Sequence, residues 1–304
     1  MSLTILGPER PDGVLPTVLS RRGIAGPIAL ISAGWRYDEE RDELLRAAVP
    51  NPIVNLRLYH RFRSLETQAP ELTAGWTAKQ EALRRVKERY RLRFHNALGA
   101  AVALHAESRD TGCPWFKQAI RHLHEADQLF LSEAKLLHDH FVEQFHPAQH
   151  PLVAQVRAEM VADLEGCSAL CIAGGHVGVL RNRLSFFDLG PELIRRPLFA
   201  WSGGAMVLTD RVLLYHDHTA HGPGTSELLD HGFGLLRNVV FLPHARERLD
   251  LGDTVGLAVL AHRMAPRQLV ALQNGAIYED GRYTGETGAA FRIQLDGSML
   301  AESA

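Results

Sequence analysis

The residues of this chain best suited to chemistry are a serine, an aspartate and a histidine, in that order. Ser202 lies in Ala200-Trp201-Ser202-Gly203-Gly204-Ala205, between a short apolar run and the small residues that open a helix, Ala205 to Leu208. A sharp strand-to-helix turn projects a serine oxygen from the backbone and needs small neighbours, because another side chain would collide there. Gly203 and Gly204 meet that need, although Ala200 stands where the G-x-S-x-G pattern has its first glycine. The N–H of Gly203 can stabilise the oxyanion of a tetrahedral intermediate, an effect of about 3 kcal/mol per donor. Asp217 follows in Tyr215-His216-Asp217-His218, and His244 ends a strand in Pro243-His244. In this order His244 acts as general base toward Ser202, while Asp217 fixes its tautomer. Gly174-Gly175 ends an earlier strand and opens a helix, so the Gly175 backbone offers a second oxyanion donor.

Other groups admit other readings. His216, His218 and His221 crowd around Asp217, and alternating histidines on an extended segment can ligate zinc, which gives a metal-dependent hydrolase as one alternative. The serine scheme requires no metal and no cofactor. Arg246 and Arg248, close behind His244, can grip a substrate carboxylate or simply start a helix, and His176 is a further substrate-contact candidate. His122, His124 and His138-Asp139-His140 fall on predicted helices and read as solvated surface. The basic run from Lys79 to Arg93 also reads as a solvated helix face, diluted by Glu81 and Glu88.

Positioning these groups falls to alternating strands and helices. Residues 27–33 form a short apolar run typical of a strand buried on both faces. A helix carrying Leu44, Leu45 and Ala48 follows, then a strand over 52–58, which gives a β-α-β opening and a parallel sheet. Helical spacing dominates 75–150, with a further helix over 152–164. Strands are then expected at 168–173, 199–201, 239–242, 269–272, 276–278 and 290–293. In doubly wound sheets ligands bind beyond the carboxyl ends of strands, where Gly175, Ser202 and His244 fall. The expected fold class is α/β, three-layer αβα, with a mostly parallel doubly wound sheet in a single domain over 1–304.

Composition bounds the partners. The 304 residues carry 33 Lys+Arg against 35 Asp+Glu, a net charge of -2, which argues against a dedicated nucleic-acid protein. Cys113, Cys167 and Cys171 form no even disulfide framework, and no window approaches the roughly 18 apolar residues of a membrane span. A cytoplasmic, non-membrane protein is expected.

The chain resembles the serine peptidase family of peptidase E and cyanophycinase, within the class I glutamine amidotransferase-like superfamily. The segments carrying the resemblance are Ile172-Ala-Gly-Gly-His-Val-Gly-Val-Leu180, the elbow Ala200 to Ala205, His231-Gly-Phe-Gly-Leu-Leu236 with Leu242-Pro-His244, and the opening strand Ile28 to Trp35. It implies Ser202, His244 and Asp217 as a triad, Gly175 and Gly203 as the oxyanion hole, and a peptide or peptide-like substrate. His176 replaces an asparagine, Gly203 an alanine, and Gln273-Asn274 stands where relatives often carry an acidic residue. The 75–150 stretch has no counterpart in the small dipeptidases and is expected to be an insertion that covers the site or builds a subunit contact, as in a homodimer. Alternatively, the fold serves a non-catalytic binding or assembly protein through that insertion.

Overall fold

The computed structural model describes residues 2–9, 13–215 and 225–302. Strand β1 (Leu3–Leu6) leads through α1 (Leu15–Arg21) to β2 (Ile28–Ile31), then through a 3-10 turn (Ala33–Asp38) and α2 (Glu43–Ala48) to β3 (Ile53–Asn55). Helices α3 (Leu58–Gln68), α4 (Pro70–Ser108), α5 (Pro114–Phe145) and α6 (Pro151–Glu165) come next. The strand–helix alternation resumes with β4 (Ala169–Ile172), α7 (Val177–Phe186), β5 (Leu198–Trp201) and α8 (Gly203–Leu208). An antiparallel pair, β6 (Arg211–Leu214) and β7 (Glu227–His231), precedes β8 (Val239–Pro243), α9 (Ala245–Arg248) and α10 (Thr254–Met264). Short strands complete the chain: β9 (Gln268–Leu272), β10 (Ile277–Glu279), β11 (Arg282–Tyr283), β12 (Ala290–Ile293) and β13 (Met299–Ala301).

The central sheet has the order β11-β10-β1-β5-β4-β2-β3, parallel from β1 to β3 and antiparallel at β10 and β11. Its strands read as unbroken apolar runs because both faces are covered. Ile28 and Leu30 join Leu15, Val18 and Leu19 of α1 on one face, while Ala29 and Ile31 join the larger cluster on the other. The expectation of one sheet needs correction. β8 and β9 pair with β12 and β13 in a separate four-stranded sheet, because antiparallel β10 already occupies the free edge of β1. Two local expectations fail as well. Arg57 turns left-handed (φ 50°), so the strand expected over 52–58 stops at Asn55 and Leu58 opens α3. Helix α2 buries no residue, and Leu44 is 68% exposed.

Between β3 and β4, α4 and α5 form a long antiparallel hairpin. Gly75 admits the Phe145 ring, which would lie 2.2 Å from a Cβ at that position. Farther along, the fully buried Arg263 of α10 donates to both carboxylate oxygens of Asp127 on α5 at 2.8 Å, and to the hydroxyl of Tyr90 on α4. The hairpin is thereby clasped to the body by a buried ion pair in which each guanidinium nitrogen and carboxylate oxygen has a partner.

The solvated readings of this region also need correction. His138 is half-buried, with Nε2 2.8 Å from Asp230 Oδ2, and Arg181 reaches the same carboxylate at 3.2 Å. In the basic run, Lys79 is buried beneath the Trp76 ring, Lys87 donates to Leu228 O, and Arg91 pairs with Glu227. For His138, Lys87 and Arg91 the reason is β7, whose Glu227 and Asp230 face the hairpin and draw these side chains inward.

Two measurements test these contacts. Asp127→Ala leaves Arg263 buried and unpaired, and chemical denaturation is expected to show a loss of about 3–5 kcal/mol. Burial holds His138 below its ordinary 6.5, so folding favours the neutral ring and this contribution is full above about pH 6.5 and declines as pH falls. His138→Gln is therefore expected to lose less stability than the parent between about pH 7 and pH 5, as read by denaturant titration.

Candidate active site

The parallel strands β2, β4 and β5 are neighbours, and their carboxyl ends meet in backbone contact without intervening side chains. A Cβ on Gly34 would fall 2.4 Å from Gly174 O, and one on Gly175 would fall 2.5 Å from Gly34 O. A Cβ on Gly204 would fall 2.2 Å from Ile172 O. The strand ends approach this closely only because glycine occupies each position.

Ser202 is at the centre of this contact. It has φ 51° and ψ -121°, a conformation that costs a non-glycine residue on the order of 1–3 kcal/mol, and it joins the last residue of β5 to the first of α8. This is the strained strand-to-helix turn expected from the sequence. Its side chain is half-exposed and does not cap α8. Gly174 makes the room, since a Cβ there would fall 2.7 Å from Ser202 Cβ and 2.9 Å from Oγ. Gly203 lies against Gly175, whose oxygen would be 3.1 Å from a Cβ on Gly203 and whose nitrogen would be 3.6 Å away. Among the described residues, the N–H groups of Gly175 and Gly203 have no hydrogen-bond acceptor. Two free donors are thus neighbours beside a strained, half-exposed serine.

His244 follows β8 with a left-handed backbone, φ 59° and ψ 33°, and its N–H donates to Leu272 O at 3.1 Å. It is therefore carried by the second sheet. Backbone contacts connect that sheet to the elbow: Gln273 O would be 1.9 Å from a Cβ on Gly7, and Gly7 follows Leu6, the register partner of Trp201. Helix α8 also packs against β8. Among the described residues no hydrogen bond reaches the Ser202 hydroxyl, from His244 or any other group. Tyr215 donates its hydroxyl to Pro243 O, next to His244. Asp217, His216, His218 and His221 lie outside the described residues.

The expected substrate contacts differ in availability. His176 is exposed, but its Nδ1 accepts the Val179 N–H at 3.2 Å and so caps α7. Arg246 is exposed and Arg248 half-exposed on α9, directly after His244. The loop Trp35-Arg36 escaped sequence reasoning as a site element. Trp35 Cδ1 would be 3.0 Å from a Cβ on Gly175, and the exposed Arg36 has φ 62° and ψ -121°, dihedral angles similar to those of Ser202. The only sequence cue was Gly34 at the end of its strand. Among the described residues no group of three or more His, Cys, Asp or Glu is arranged to hold a metal ion, and no helix is long and apolar enough to cross a membrane.

No family model and no curated protein matches the chain. A solved structure of a peptidase from an acI-B1 Actinobacterium aligns over 100% of this chain and 95% of its own, with a TM-score of 0.46 and 12% sequence identity.

The glycine cradle gives a direct test. Gly174→Ala drives a methyl group into Ser202, and a displacement of this size is expected to slow fluorophosphonate labelling of Ser202 by about 100-fold. Far-ultraviolet circular dichroism checks that the fold persists.

Proposed function

We propose that this protein is a serine hydrolase acting on peptide or peptide-like amide bonds, with Ser202 as nucleophile, His244 as general base and Asp217 as the carboxylate that orients the imidazole. The observation that supports it most is the strained backbone of Ser202 in a cradle of glycines, with two unengaged N–H groups beside it. The sequence resemblance to the peptidase E and cyanophycinase family supports the same reading.

In this scheme Ser202 Oγ attacks the amide carbon while His244 takes the hydroxyl proton. Negative charge moves onto the carbonyl oxygen, where Gly175 and Gly203 donate to it. Collapse breaks the C–N bond, His244 returns the proton to the departing amine, and an ester to Ser202 remains. Water, deprotonated by His244, attacks that ester and regenerates the free serine. Arg246 and Arg248, after His244, and Arg36, after Trp35, are cations available to substrate carboxylates, and His176 is left to contact substrate through Nε2.

A binding or assembly role for the hairpin is a second reading, favoured by the exposed apolar side chains of Leu92, Trp115, Leu136 and Val142. Turnover decides between them. Ser202→Ala is expected to abolish fluorophosphonate labelling, and His244→Ala to lower hydrolysis of a dipeptide panel by about 10⁴-fold or more. Labelling that persists in Ser202→Ala overturns the assignment.

A further inference from the structure

Helices α4, α5 and α7 and strand β7 line a cavity of about 290 Å³ that the hydrolase scheme does not use. Its wall holds a buried donor without an acceptor among the described residues. Gln80 Nε2 is buried with no partner among the described residues, its Oε1 being taken by Asn182 at 3.2 Å. Behind the wall, Lys79 is only 7% exposed; its ammonium stands 3.4 Å from the centre of the Trp76 ring, with no oxygen acceptor among the described residues.

The charges are also out of balance. Arg84, Lys87, Arg91 and Arg181 line the cavity against Glu88 and Asp230. Asp230 is already shared by His138 and Arg181, and Glu88 pairs with Arg84. Lys87 and Arg91 share the neighbouring Glu227. Counting Lys79, five cations face three carboxylates. Burial, and after it the Arg181 guanidinium, pull the Lys79 ammonium down to about 7. A cation-rich pocket with a buried donor left over calls for a ligand that accepts hydrogen bonds and carries negative charge. Leu83, Phe130 and Leu229 supply an apolar wall for a short carbon skeleton.

We infer that this cavity binds a small organic polyanion, through carboxylate or phosphate oxygens that accept from Gln80 and offset the charge of Arg181 and Lys79. The inference does not depend on the role of Ser202. Isothermal titration of the full chain with citrate and with glycerol 3-phosphate, at ionic strength matched with potassium chloride, tests it and separates the two anion classes. Saturable binding of at least one at one site per chain is expected. Gln80→Leu removes the unpartnered donor, and Lys79→Met leaves an apolar side chain against Trp76. Each is expected to weaken that binding at least tenfold while circular dichroism stays unchanged. No saturable binding of either anion, or parental affinity in both variants, overturns it.

Discussion

The rest of the site depends on a steric condition: three parallel strand ends touch backbone to backbone. Where Gly34, Gly174, Gly175 and Gly204 meet their neighbours, a single methyl group would occupy space already held by carbonyl oxygen or by Ser202 itself. Close approach brings the two free N–H groups together, and it holds the serine in a conformation its own side chain disfavours. The surrounding sheet, covered on both faces, supplies the rigidity that keeps this strain from relaxing.

Much of that centre was legible because apolar runs and glycine pairs are local signals. The runs at 28–31, 169–172 and 198–201 became adjacent strands, and the small residues around Ser202 marked the turn. What escaped reading was non-local. Leu3–Leu6 is too short to announce itself, yet β1 lies between β5 and β10. Nothing in Val239–Pro243 distinguishes a strand of the central sheet from one that pairs elsewhere, since only the occupancy of the β1 edge decides it. The histidines and lysines of the hairpin misled for a related reason: helical spacing says which residues share a face, but not that an acidic strand will pack against it.

The hairpin is held by polar groups as much as by apolar ones. Tyr90, Asp127 and Arg263 form a closed set of charge-assisted bonds, and the Asp230 group forms another beside it. Such buried sets are costly to disturb in part, which favours one docking of the hairpin over alternatives of similar apolar content.

Ser202 and His244 ride on different sheets, and the seam between those sheets runs through Gly7 and the carbonyl of Gln273. In the proposed serine scheme, alignment of hydroxyl and imidazole is therefore a property of a joint, not of either sheet alone. Under that scheme a small slide along the joint would silence the pair while leaving every strand intact, so an inactive form need not be an unfolded one.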